Sequence, residues 1–254
     1  MIEKVKRYFD DEIRKHPSCF LDDRSASNFL VPSESYARAL LGPTDRGLRV
    51  LEIGAGDCTD SIALAGSTNH VWAIDIAATR LARAQKNIHA ACMTDRILPI
   101  CMDAHHLAFP DNTFDLIVGN SVLLFLNKEV FLRECYRTLR VGGRAIFPNE
   151  SMGHPVVQIR RWITRRLRER ESITRRVTLE FIELMLEKFK GGSHREFYLL
   201  SVALAPFVPR FGHLRVVAAL LGLVHRIDAC LLRLFPVLRK YCWIAVIEVR
   251  RDVC

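Results

Sequence analysis

Residues 50–56, Val-Leu-Glu-Ile-Gly-Ala-Gly, constrain the fold of this chain more than any other stretch. The aliphatic run from Arg49 to Ile53 reads as a buried parallel strand. It leads directly into Gly54-Ala55-Gly56, where the backbone can turn tightly without Cβ clashes and pass close to a ligand. Asp57 and Thr59 are both able to cap a helix, and Ser61-Ile62-Ala63-Leu64-Ala65 suits a helix start. Strand, glycine turn and helix N-terminus in this order build a nucleotide cradle at the carboxyl edge of an α/β sheet.

The rest of the chain repeats that rhythm. Strands are expected at Leu48–Ile53, His70–Asp75, Ile97–Cys101, Phe114–Gly119 and Arg144–Pro148, with helices at Ser61–Gly66, Ala78–Ala91 and Lys128–Arg140. In the last helix Phe131, Cys135 and Leu139 fall on one face, Asn127 is placed as its N-cap, and Gly142-Gly143 ends it. Short loops between alternating strands and helices predict a mostly parallel sheet with helices on both faces. Residues 1–46 read as a mostly helical cap punctuated by Pro17, Pro32 and Pro43. After residue 150 the pattern changes to an arginine-rich stretch, a helix opened by Thr178 with Val177 and Ile182 placed as a staple, and a stop at Gly191-Gly192. A strand at Arg195–Ala203, an apolar insertion at 204–238 and a last strand at Tyr241–Val249 follow. The late strands read as extensions of the same sheet, so residues 1–254 are taken as one domain.

Composition narrows the function classes. The eight cysteines are scattered with neither Cys-x-x-Cys nor metal-type Cys/His spacing, which implies reduced thiols in a cytoplasmic protein and no metal. The charged N-terminus lacks the apolar core of a signal peptide. The longest apolar tracts, broken by proline and arginine, fall short of the roughly 20 residues that span a bilayer. Net charge is +9, and eight arginines against two glutamates lie between Arg160 and Arg176. That asymmetry suits either a solvated helix face or an acidic partner such as an anionic membrane. Nucleic acid is not expected, because no recognition module accompanies the arginines.

Four features fall at the carboxyl ends of expected strands, where ligands bind in open α/β sheets: Glu52 to Gly56, Asp75, Asp103-Ala104 and Asn120-Ser121. A carboxylate at position 75, about twenty residues past the glycines, can accept from both hydroxyls of a ribose. Asp103 is placed to accept from an adenine amino group. A dinucleotide fold shares the turn and the ribose acid, but its Gly-x-Gly-x-x-Gly fingerprint requires glycine where Thr59 stands. Glu52 would also repel a pyrophosphate, whereas it suits a phosphate-free cofactor with cationic groups.

These residues, with Phe109-Pro110-Asp111-Asn112-Thr113-Phe114-Asp115 and Leu139-Arg140-Val141-Gly142-Gly143-Arg144, resemble the class I S-adenosylmethionine-dependent methyltransferases over about residues 48–150. Within them the chain is closest to the broad group acting on quinones, sterols, sugars and natural products. The resemblance implies a Rossmann-like, seven-stranded, mostly parallel sheet with an antiparallel last strand, and a cofactor core at 47–150. It also implies that the segments 151–195 and 204–238 are helical lids over the acceptor. Glu52, Gly54, Ala55 and Gly56 would then line the methionine side of the cofactor, Asp75 would hold its ribose, and Ile76, Asp103 and Ala104 would meet the adenine. Asn120 and Ser121 would flank the reacting group. The family's third glycine is Cys58 here, a small buried thiol rather than a nucleophile, and Phe125 stands where a histidine often follows the fourth strand.

Without that histidine the candidates for a general base are Glu150, His105 and His106, with His154 behind them. Each has a duller alternative as a solvated or capping residue, and Trp162 reads as a helix-packing aromatic. In-line methyl transfer needs little beyond positioning and desolvation, so a missing base is no argument against activity. The expectation is O-methylation of a small hydrophobic acceptor, giving S-adenosylhomocysteine. The alternatives are a membrane-peripheral lipid or quinone methyltransferase and a cofactor-binding protein without catalysis, and a homodimer interface competes for the apolar insertion.

Overall fold

A computed structural model describes residues 2–15, 24–41, 47–66, 69–163, 174–205, 208–211 and 214–252. Seven strands form one sheet: β1 (Arg49–Ile53), β2 (His70–Asp75), β3 (Ile97–Cys101), β4 (Phe114–Val118), β5 (Leu139–Ser151), β6 (Gly192–Phe197) and β7 (Ile244–Arg250). Their order across the sheet is β3-β2-β1-β4-β5-β7-β6. The pairs joining β1 to β5 are parallel, and β7 runs antiparallel to both β5 and β6. Strand order reverses between β1 and β4, which opens a crevice at their carboxyl ends.

Alternation along β1 sets the two layers. Val50 packs with Val71, Ala84, Ile88 and Val118 on one face, beside α3 (Thr59–Ala65) and α4 (Ala78–Ala90). Leu51 and Ile53 join the opposite core with Phe131, Leu132 and Cys135 of α5 (Lys128–Thr138). Because helices cover both faces, every side chain of the strand after Arg49 is buried, Glu52 included.

Near the N-terminus, α1 (Ile2–Lys15) packs against α4, and α2 (Arg24–Leu41) lies against β5 and β7. Pro32 sits inside α2 instead of punctuating it, while Pro17 and Pro43 lie outside the described residues. After β5 come α6 (Pro155–Ile163) and α7 (Leu179–Phe189). Thr178 caps α7 by accepting from the amide of Phe181, and Val177 and Ile182 are both buried. Residues 164–173 of the arginine-rich stretch are not described, nor are the side chains of 160–163, including Trp162. The apolar insertion resolves into a short α8 (Val208–Phe211), the 20-residue α9 (Arg215–Leu234) and a 3₁₀ helix over Pro236–Tyr241.

Several expected boundaries move, each for a tertiary reason. Helix α5 stops at Thr138, and Gly142-Gly143 lie within β5 rather than ending the helix. A Cβ at Gly143 would sit 2.9 Å from the Arg140 carbonyl and 3.1 Å from that of Asp115, so glycine admits a close approach of backbones where the β4–β5 register shifts. Strand β6 ends at Phe197, six residues early. Asp228 of α9 accepts from the amides of Leu199, Leu200 and Ser201 and from the Ser201 hydroxyl, which bends the chain into the 3₁₀ helix Ser201–Leu204. At β7, pairing begins at Ile244 rather than Tyr241.

Candidate functional site

The crevice at the strand switch holds a cavity of about 380 Å³. Its floor is the turn after β1. Gly54 and Gly56 have φ of +69° and +55°, a region closed to most side chains, and a Cβ at Gly54 would press on Val122 at 3.1 Å. Cys58, where a third glycine was missed, also adopts a left-handed conformation (φ +59°) and forms the N-cap of α3 without a side-chain hydrogen bond. Neither Asp57 nor Thr59 caps that helix. Burial pushes the Cys58 thiol up to about 12, which makes it inert as a nucleophile.

Asp75 ends β2 almost wholly buried. One carboxylate oxygen accepts from the Gly56 amide at 2.9 Å and the other from the Ala77 amide at 2.8 Å. A carboxylate has about four acceptor positions, so two remain for a ligand. Arg80 stands 3.7 Å from the same carboxylate, its guanidinium stacked over Phe9 at 5.4 Å. That guanidinium also lies on Gly56, where a Cβ would meet it at 2.1 Å. Gly56 therefore shapes the turn from beneath Arg80 and does not line the cavity.

Glu52 lines the cavity from β1 and accepts from the Ser61 hydroxyl of α3. Burial pushes its carboxyl up to about 8, with Asp60 and Asp75 adding repulsion and Ser61 and Arg80 opposing. Ala55, Ile76, Asp103, Ala104, Asn120 and Ser121 join the lining, so nine of the ten residues assigned to the cofactor come together. Asn120 donates to Asp60 at 3.0 Å and accepts from Asn149, and the Ser121 hydroxyl donates to the Asn149 carbonyl.

The three candidate bases fare differently. His105 lines the cavity, but the Asn127 amide donates to its Nε2 at 2.7 Å, so its proton sits on Nδ1 and is donated to Asp103 at 2.6 Å. With both nitrogens used, the ring ties the Asp103 loop to the start of α5. His106 is exposed and outside the cavity. Glu150 is neither exposed nor in the cavity: it lies buried in β5, accepting from the amides of Val122 and Leu123, and burial pushes its carboxyl up to about 8. It holds the loop after β4 in place. His154 is likewise buried, bonded to the Leu199 carbonyl and the Val156 amide.

A further, apolar part of the lining was not anticipated from the sequence. Ile2, Val5 and Phe9 of α1 line the cavity together with Val122, Phe125 and Leu126, Phe9 and Phe125 packing edge-to-face at 5.1 Å. Thr79 donates to Asp10, pinning α1 to the start of α4. The i, i+3, i+7 spacing of Ile2, Val5 and Phe9 was the available signal. Among the described residues of 151–195 and 204–238, none lines the cavity, whereas Ile2, Val5 and Phe9 of α1 do. No described group of His, Cys, Asp or Glu is arranged to hold a metal.

Sheet order and the superpositions below define a class I S-adenosylmethionine-dependent methyltransferase fold. Residues 51–147 match a methyltransferase domain. Over 105 residues it is 34% identical to a ubiquinone/menaquinone biosynthesis C-methyltransferase of Pseudoalteromonas translucida, a match spanning 40% of this chain and 42% of the relative. Among solved structures, the [4+2]-cyclase SpnF superposes with a TM-score of 0.64 at 19% identity, covering 100% of this chain and 98% of that one. The geranyl diphosphate C-methyltransferase of Streptomyces coelicolor, bound to S-adenosylhomocysteine, superposes at 0.61 with 11% identity, covering 87% and 78%.

Proposed function

We propose that the chain transfers a methyl group from S-adenosylmethionine to a small hydrophobic acceptor. One observation carries the reading: a single cavity brings Glu52, Asp75 and Asp103 together with the apolar Val5, Phe9, Val122, Phe125 and Leu126. The cradle fits the cofactor, because only glycine relieves the turn and Asp75 keeps two acceptor positions open. Asp75 would hold the ribose, Asp103 the adenine amino group and Glu52 the cationic end. When bound, the cofactor supplies an electrophilic methyl on its sulfonium.

The chain's own residues supply placement and dryness. The apolar wall orients the acceptor and excludes water, which favours in-line transfer. Among the described residues His105 is the histidine at the cavity, and both its nitrogens are spent on Asp103 and Asn127. The acceptor should therefore carry a nucleophile that ionises readily, such as a phenol or enol. Transfer to its oxygen is the leading reading; transfer to the adjacent ring carbon is the second, favoured by the relative named a quinone C-methyltransferase. The test is incubation with S-adenosylmethionine and a panel of phenols, hydroquinones and aliphatic alcohols, read by S-adenosylhomocysteine release and product mass. Turnover of phenols but not alcohols supports the proposal. Cofactor binding without turnover of any of them would overturn it in favour of a non-catalytic cofactor-binding protein.

A further inference from the structure

Helix α9 has two apolar faces, and only one is used inside the protein. Leu221, Asp228 and Leu232 are buried, the carboxylate of Asp228 being fully engaged by four donors of residues 199–201. About 140° around the axis, at 100° per residue, lies a second row at 216, 220, 223, 227, 230 and 234. Val216 is 80% exposed, Leu220 48%, Leu223 54%, Ile227 42% and Leu234 64%, and Cys230 is exposed between them. The row continues past the helix into Phe235, Val237 and Tyr241, all exposed. An apolar strip of this length on a helix already anchored by its other side marks an interaction surface.

Charge identifies what it meets. Arg215, Arg226 and Arg233 fall on one flank of the strip, within about 20° of each other around the axis at 100° per residue. Arg239 and Lys240 follow in the next turn. Between residues 197 and 247 Asp228 is the only acidic residue, and it is buried. On the arginine side α9 borders a second cavity, about 570 Å³, lined by Arg195, Arg233, Arg239 and His194. Its acids are engaged as well, Glu196 by His194 and Arg239, and Asp228 as above. The 4,3-spacing of the strip would suit a coiled coil, but the flank offers only cations, so pairing with a second copy in antiparallel register sets arginine against arginine. An apolar strip edged by arginines is instead the pattern of a helix lying in a lipid interface, with the guanidinium groups reaching up to phosphates.

We propose that α9 docks the protein on an anionic bilayer surface, its strip in the acyl boundary and its arginines on lipid phosphates. This holds whatever acceptor the cavity takes, and its test does not use turnover. Flotation of the full chain with phosphatidylcholine vesicles containing about one-third phosphatidylglycerol should show binding, weak or absent with phosphatidylcholine alone and reduced by salt. Arg226→Gln with Arg233→Gln should weaken partitioning about 25-fold, at a factor of about five per surface arginine. Leu223→Asn with Ile227→Asn should weaken it tenfold or more on the anionic vesicles. Both pairs are exposed, so circular dichroism should show unchanged folding. Absence of flotation, or flotation indifferent to both pairs, overturns the proposal. So does a dimer in sedimentation velocity that the Leu223/Ile227 variant dissolves, which would assign the strip to self-association.

Discussion

Replacing Glu52 with Gln is expected to uncouple cofactor binding from proton release. In the empty cavity the Glu52 carboxyl titrates near 8, so at pH 7 about nine-tenths of it is protonated. A cationic ligand end beside it favours the carboxylate, and binding near pH 7 should therefore expel up to about 0.9 proton. The sign follows from linkage. The folded value lies above the ordinary 4.5, so the empty protein holds a proton that the unfolded chain has lost, and this group's contribution to stability falls as pH rises from 4.5 to 8. Cofactor affinity moves the other way, strengthening by up to about tenfold per pH unit over the part of that window above the bound-state value. Calorimetry in buffers of different ionisation enthalpy reads the proton count directly. Gln keeps an oxygen for the Ser61 hydroxyl, so E52Q should fold normally, bind more weakly at pH 8 and show a flat pH profile. Equal, buffer-independent enthalpies in both proteins would refute the reasoning: Glu52 would then face no ligand charge.

His105→Ala should remove the acceptor of the part-buried Asn127 amide, costing about 1 kcal/mol in thermal unfolding, and should raise the KM for cofactor with little change in kcat. A collapse of kcat at constant KM would instead make the imidazole catalytic. Glu150→Gln should flatten the stability profile: the raised folded value costs wild type about 3 kcal/mol at pH 7 relative to pH 4.5, so urea unfolding of the variant should gain on wild type as pH rises. Gly56→Ala meets both a left-handed backbone and the Arg80 guanidinium, so cofactor affinity should fall; adding Arg80→Ala should restore the steric part but not the backbone part, and a double-mutant cycle with no coupling would place Arg80 away from the turn.

The cofactor half of the site was legible because its residues sit next to strand ends, and strand ends are set by local pattern. Glu52 to Ala55, Asp75 to Ile76, Asp103-Ala104 and Asn120-Ser121 all reach the cavity from that logic alone. The roles of His105 and Glu150 were not legible. Each became a tether through a backbone amide 22 to 28 residues away, and no spacing rule announces such a partner. Arg80 lay hidden for the same reason, its meaning depending on Phe9 crossing over from α1.

Hydrophobic period and glycine placement by themselves determined the βαβ core, since a strand buried on both faces and a turn requiring positive φ leave few alternatives. Tertiary structure decided what local pattern could not. Asp228 ended β6, α1 came to line the cavity with an apolar stripe, and one apolar face of α9 was buried while the other stayed in water. In each case the outcome depended on which distant groups could satisfy a backbone amide or cover an apolar surface, and that becomes defined only once the layers have packed.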